Sequence, residues 1–254
     1  MRVVDAMTRD FLTARAEEGL GEVAQRMVER WVGSAIVEPG SPGSGPGILT
    51  ERHVVEVVGA GNDPSQTRVG DHFTPEPTSA APDWQLERAA EAMDHEGSRH
   101  LVVADGDPVG VITMLDLLRS WSSERWRELT VPIREALRRD FLEVERDETL
   151  SETARRMVER ELGAAVVAPP KPKAAPDLVT DREILRATAD GRDPRTEQVA
   201  EYLSERKTFS APDWSLMQAA EAITKGGFQN VVVVDRNGVA GVISIGDIVR
   251  RLLR

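Results

Sequence analysis

The chain repeats itself, and the repeat restricts the fold before any motif is considered. At an offset of 130 residues, Arg9-Asp10-Phe11-Leu12 falls on Arg139-Asp140-Phe141-Leu142, and Met27-Val28-Glu29-Arg30 falls on Met157-Val158-Glu159-Arg160. The same register aligns Thr50 with Thr180, Asp63-Pro64 with Asp193-Pro194, and the Ala-Pro-Asp-Trp of 81–84 with that of 211–214. It slips by one residue only where Asp235-Arg-Asn-Gly238 is longer than Asp105-Gly-Asp107. A hairpin turn is where a duplicated fold best tolerates an insertion. The chain is therefore two similar halves, 1–124 and 131–254, and its architecture must be one of repeated units.

Each half divides again. Leu20, Val23, Ala24, Met27, Val28 and Trp31 lie at helical spacing on one face, and Leu86, Ala89, Ala90 and Met93 repeat the pattern later in the same half. After each such helix come an apolar run, a turn, a second apolar run and a second helix. The last copy is the clearest: helix 216–225, strand Asn230–Val234, turn 235–238, strand Val239–Ser244, helix 245–253. Its companion runs Leu101–Ala104, turn 105–107, Val109–Thr113 and a helix through Trp121. Four α+β units follow, at 1–60, 66–124, 131–190 and 196–254. Thr149-Leu-Ser-Glu152 and Ser215-Leu-Met-Gln218 predict capping boxes at two helix starts. In the odd units the Pro/Gly-rich runs 39–47 and 169–176 replace the tight turn and predict surface loops. The connector 119–139 reads as helical, broken near Pro132.

Composition removes whole classes of function. The net charge of -11 argues against binding to nucleic acid or to anionic lipid, since both depend on Lys and Arg neutralising phosphate. With no cysteine there is no disulfide, thiolate nucleophile or Cys-based metal site. No stretch approaches the length and apolarity of a membrane helix, and Met1 leads into charged sequence without a signal-peptide core, so a cytoplasmic protein is expected. His53, His72, His95 and His100 lack metal-ligand spacing, and no catalytic triad, phosphate-binding loop or dinucleotide turn occurs in its required context. No metal and no enzymatic activity are expected.

The signature that remains joins the last strand of each unit to its second helix. It reads Gly110-Val-Ile-Thr113-Met-Leu-Asp116 and Gly241-Val-Ile-Ser244-Ile-Gly-Asp247 in the even units. In the odd ones it reads Gly47-Ile-Leu-Thr50-Glu-Arg-His53 and Asp177-Leu-Val-Thr180-Asp-Arg-Glu183. A hydroxyl at a helix start lies beside free N–H groups and the positive end of the dipole, which favour a phosphate. A carboxylate one turn on can accept both hydroxyl protons of a ribose diol. The same spacing is also an ordinary N-cap. The preceding glycine, which permits close backbone approach, is not needed by a cap.

With Val3-Val-Asp-Ala-Met-Thr8, the helix carrying Ala24 and Met27, and the strand Leu101-Val-Val, this signature resembles the cystathionine-beta-synthase (CBS) domain family over essentially the whole chain. The resemblance implies four beta-alpha-beta-beta-alpha units paired into two Bateman modules, 1–124 and 131–254, with no catalytic domain. It also implies adenosyl ligands (AMP, ADP, ATP or S-adenosylmethionine) in the clefts between motifs, with Thr/Ser on phosphate and Asp on ribose. Carried across, the second motif offers Gly110, Thr113 and Asp116, with Thr74 and Pro75 from its opening loop and His100 and Leu101 from its strand. The fourth offers Gly241, Ser244 and Asp247, with Ser204, Asn230 and Val231. Thr50, Thr180 and Glu183 are weaker candidates, because His53 replaces the aspartate and Asp177 stands where glycine is expected.

The expected function is regulatory: an adenine-nucleotide sensor, without a required cofactor, that signals to a protein effector. The alternative is a scaffold with vestigial clefts. Apolar positions on the second helices, among them Val54, Val58, Leu117, Leu118, Ile248 and Leu252, exceed what one unit can bury; the resemblance implies that such helices form the module interface and often a dimer interface, so a homodimer is expected.

Overall fold

A computed structural model describes residues 1–40, 45–121, 126–171 and 174–253. The four units are present in the predicted order. In motif 1, β1 (Leu12–Ala14), α2 (Leu20–Glu29), β2 (Ser34–Val37), β3 (Gly47–Thr50) and α3 (Glu51–Gly59) follow a short helix α1 (Val3–Ala6). Ahead of motif 2, β4 (Thr74–Pro75) adds to the sheet of motif 1. Motif 2 has β5 (Ser79–Ala80), α4 (Leu86–Glu96), β6 (His100–Asp105), β7 (Asp107–Thr113) and α5 (Met114–Ser120). Motif 3 has β8 (Glu143–Val144), α6 (Leu150–Glu159), β9 (Ala164–Val167), β10 (Asp177–Thr180) and α7 (Asp181–Ala189). Motif 4 has β11 (Phe209–Ser210), α8 (Leu216–Gly226), β12 (Asn230–Asp235), β13 (Gly238–Ser244) and α9 (Ile245–Leu252). In each unit the first strand runs parallel to the second and the second antiparallel to the third.

Local sequence accounts for most boundaries. Ser215 and Gln218 form the full capping box at α8. At α6 the box is only half made: Thr149 Oγ1 accepts from the Glu152 N–H at 3.2 Å, but the Glu152 carboxylate turns to Arg155 at 2.5 and 2.9 Å. A charge-assisted bidentate pair outcompetes a single backbone N–H. Helices α4 and α8 end on left-handed Gly97 and Gly227. The connector is less helical than its composition suggests. Its described part forms short 3-10 turns at Arg127–Thr130 and Ile133–Glu135, separated at Val131–Pro132, where Pro132 has no N–H to give. Residues 122–125, and 41–44 and 172–173 in the two Pro-rich loops, lie outside the described residues.

The chain forms two compact units that do not follow the order of the motifs. One comprises Met1–Asp10, Thr78–Asp140 and Arg206–Arg254; the other comprises Phe11–Pro77 and Phe141–Glu205. The cores of motifs 2 and 4 thus share one unit, and those of motifs 1 and 3 the other. In the first, Leu101, Ile112, Leu117 and Leu118 of motif 2 share one apolar cluster with Val231, Ile243, Ile248 and Leu252 of motif 4. In the second, Val55 and Val58 of α3 pack with Leu150, Ala154 and Met157 of motif 3, while Leu185 of α7 packs into the cluster of motif 1.

The apolar surplus expected to drive self-association is buried within the chain itself. Val54, Val58, Leu117, Leu118, Ile248 and Leu252 are all at most 2% exposed. Burying each contributes about 1.5–3 kcal/mol to the fold of the single chain. No helix among the described residues is long and apolar enough to cross a membrane.

Candidate functional site

The opening segments of consecutive motifs are exchanged, and this exchange builds the sites. Thr8, ahead of motif 1, pairs with Val111 on β7 of motif 2 through N–H···O bonds of 2.8 and 2.9 Å. Thr74, ahead of motif 2, pairs with Ile48 on β3 of motif 1. The second half repeats both: Val242 N–H donates to the Arg138 carbonyl at 3.1 Å, and Ser204 N–H to the Leu178 carbonyl at 2.7 Å. The repeated Ala-Pro-Asp-Trp is where these segments dock. Val3 N–H donates to the Trp84 carbonyl at 2.8 Å, Val4 N–H to that of Pro82 at 2.9 Å, and Ile133 N–H to that of Trp214 at 2.6 Å.

The fold therefore groups some candidate residues differently from their order in the sequence. Thr74 and Pro75 sit against motif 1, beside Thr50 and His53, rather than with Thr113 and Asp116. Ser204 sits against motif 3, where it hydrogen-bonds Glu183, rather than with Ser244 and Asp247. His100 lies opposite Thr113 in the β6–β7 ladder, and Asn230 lies opposite Ser244 in β12–β13. Each of these two pairs lies side by side within its own motif. Leu101 and Val231 belong to the apolar core, 2% and 0% exposed. Met7, Thr8, Leu137 and Arg138 border the even motifs without having been singled out. The signal that locates them is the cross-motif pairing, which has no local periodicity.

The glycines of the even signatures serve this exchange. A Cβ on Gly110 would stand 2.9 Å from the Thr8 carbonyl oxygen, and one on Gly241 would stand 2.4 Å from that of Arg138. The close backbone approach inferred from glycine is thus made by the chain's own opening segment. In motif 3, Asp177 at the glycine position pairs with Arg146 at 2.9 Å, which offsets its charge.

Every signature closes on itself as a cap. Asp116 Oδ2 accepts from the Thr113 N–H (2.9 Å) and from its hydroxyl (2.7 Å), and Thr113 Oγ1 accepts from the Asp116 N–H (3.2 Å). Ser244 and Asp247 repeat this at 2.8, 2.7 and 3.2 Å. Glu183 Oε2 accepts from the Thr180 N–H at 3.0 Å and from its hydroxyl at 2.5 Å, while Thr180 Oγ1 accepts from the Arg182 N–H at 3.2 Å. In motif 1 the imidazole takes the carboxylate's place: His53 Nδ1 accepts from the Thr50 N–H at 2.9 Å, so its proton lies on Nε2, 3.0 Å from Thr74 Oγ1. Both ring nitrogens are thereby engaged.

Burial tunes these groups. It pushes the carboxyls of Asp116 and Glu183 above their usual range, against the opposing pull of the Thr113 bonds and of the Thr180 and Ser204 bonds respectively. It pushes the His53 imidazole down, with Glu56 opposing and His72 and Arg52 assisting.

The CBS domain family matches residues 3–60, 69–123 and 199–254, more than half of the chain, and the chain belongs to that family. The match omits motif 3, yet residues 143–189 fold in the same order as the other three. The uncharacterised protein MJ1225 of Methanocaldococcus jannaschii is 24% identical over 196 residues, 72% of this chain and 69% of that protein. Its crystal structure, proposed there as an archaeal homologue of γ-AMPK, superposes with a TM-score of 0.82 over 98% of this chain and 99% of that one, at 15% identity. An uncharacterised conserved protein of Pyrococcus horikoshii gives a TM-score of 0.64 over 99% and 100%, at 18% identity. The uncharacterised protein MK0525 of Methanopyrus kandleri is 30% identical over 46% of this chain, and the match spans 61% of its length. These likenesses establish an α+β fold of tandem CBS units.

Proposed function

We propose that the protein is a regulatory sensor of an adenine nucleotide, bound through Thr113 and Asp116 and through Ser244 and Asp247. The observation that supports this reading is the intact hydroxyl-carboxylate pair of both even motifs, its carboxylate held at the helix start by the cap and its hydroxyl residue opposite His100 or Asn230 in the ladder. Thr/Ser would meet phosphate with the help of the helix N-terminus, and Asp would accept from the ribose hydroxyls. Binding signals to an effector only through different affinity for two conformations. A scaffold with vestigial sites is favoured instead by motif 1, where His53 spends its one acceptor on Thr50.

Thermal unfolding with AMP, ADP, ATP and S-adenosylmethionine tests the reading. A ligand at a hundred times its Kd adds about 2.7 kcal/mol to stability. Stabilisation by one of them, reduced in Asp116→Ala and abolished when Asp247→Ala is added, supports the sensor; no stabilisation by any of them favours the scaffold.

A further inference from the structure

We infer that the sites are graded by what already occupies the ribose-accepting group, and that Arg250 weakens the fourth site by competing for its aspartate. The inference rests on the nucleotide-sensing reading above and deepens it. Capping consumes one carboxylate oxygen in each even motif, so the ligand's share is decided by the other. Asp247 gives its second oxygen, Oδ1, to Arg250 Nη2 at 2.5 Å, with the carboxylate only 9% exposed. Asp116 Oδ1 has no hydrogen bond among the described residues. Of the odd sites, His53 has both ring nitrogens engaged, and Glu183 is buried beneath Thr180 and Ser204.

The difference between the even motifs traces to one exchanged residue. After the one-residue slip, Arg119 and Arg250 are equivalent positions, each three residues beyond the signature aspartate. Each reaches towards the end of the other motif's first helix, where Asp94 and Thr224 are equivalent. Arg250 lies 3.5 Å from the Asp94 carboxylate and bridges it to Asp247. Arg119 faces Thr224, whose hydroxyl is bonded to the Ala220 and Glu221 carbonyls, and donates to the Thr224 carbonyl at 3.3 Å instead. A guanidinium with two carboxylates in reach settles between them; Arg119, offered a carbonyl, acts on Asp116 through its charge without a hydrogen bond or close ion pair to it. A ribose diol must therefore displace Arg250 at motif 4 and displaces no cation at motif 2. The two sites fill at different nucleotide concentrations, and Arg250 is the positioning residue that separates them.

Calorimetric titration of the nucleotide found to bind reads this directly. In an Asp116→Ala background only motif 4 remains, and adding Arg250→Ala should tighten its Kd about two- to fivefold, the range over which partly exposed ion pairs couple. Arg250→Lys should restore the weaker binding in part. In an Asp247→Ala background, Arg119→Ala should leave the motif 2 site without such tightening. Unchanged or weaker binding after Arg250→Ala overturns the latch while leaving the sensor intact. Failure of the wild-type chain to bind any nucleotide overturns both. If Asp116→Ala does not fold, a two-site titration of wild type against Arg250→Ala gives the same comparison: the gap between the two affinities narrows, or the latch is wrong.

Discussion

Arg99 and Gln229, 130 residues apart and therefore equivalent positions of the two halves, hydrogen-bond to each other. Equivalent residues can touch only where they straddle the axis that relates the copies, so motifs 2 and 4 face one another about a local two-fold. The other unit carries the same symmetry in reciprocal form. Arg52 of motif 1 donates to the Leu162 carbonyl of motif 3 at 2.8 Å, and its equivalent Arg182 donates to the Val32 carbonyl of motif 1 at 2.7 Å.

These two arginines should nonetheless differ in weight. Arg182 also holds Glu51 at 2.9 Å, a carboxylate only 5% exposed, whereas Arg52 adds the Val158 carbonyl at 3.3 Å and the carboxylate of Glu56, which is 46% exposed. Removing the cation from a buried pair costs about 3–5 kcal/mol, and losing a hydrogen bond at a partly exposed site costs about 1. Urea unfolding should find Arg182→Ala more destabilising than Arg52→Ala by roughly 2 kcal/mol. Equal losses would show that Glu51 keeps its stabilisation by another route.

A methyl group at Gly241 tests the exchange of opening segments. Its Cβ would meet the Arg138 carbonyl oxygen at 2.4 Å and the Leu137 side chain at 2.8 Å, so the segment must shift off β13. Gly241→Ala should cost about 1–3 kcal/mol, the range for overpacking, without any ligand present. An unchanged midpoint would mean that the segment is not held there.

Stability should fall as pH drops through the histidine range. The His53 imidazole has its pKa depressed by burial in the folded chain, so the unfolded chain binds more protons below about pH 6.5. That contribution is present above the unfolded value and is lost on acidification until the folded value is reached. His53→Gln keeps an acceptor for the Thr50 N–H without titrating. Its loss of stability between pH 7 and 5 should be smaller than that of wild type; identical losses would assign the effect elsewhere.

Asp116 bears on stability with the opposite sign. Burial raises its carboxyl pKa, so ionisation at neutral pH opposes folding. Asp116→Asn keeps an acceptor for the Thr113 N–H and removes the charge. Its Tm should equal or exceed that of wild type at pH 7 while nucleotide binding at motif 2 is lost. A lower Tm would mean that the carboxylate is there for the cap alone.

Local chemistry was legible in the sequence and long-range chemistry was not. The units, their helix faces and the Ser215–Gln218 box follow from spacing and duplication, because each depends on residues a few positions apart. The exchange of Thr8 onto Val111 and of Thr74 onto Ile48 leaves no periodic trace, so Thr74 and Ser204 are grouped with the wrong neighbours when read in order. Glycine at 110 was a true sign of close approach, but the approaching backbone is the chain's own. Val58 and Leu252 were correctly read as apolar surplus, yet the partner that covers such positions is the other half of the same chain.

Because each compact unit draws on both halves of the sequence, synthesis cannot complete either one early. The unit holding motifs 1 and 3 needs residues through Glu205, and the other needs the final helix α9. Residues 11–77 must wait with Val55 and Val58 uncovered until motif 3 has left the ribosome, an interval of several seconds at about 5–20 residues per second. The order in which the halves are made is thus a burden on this fold: its first half is an incomplete product, exposed to wrong partners until the second arrives.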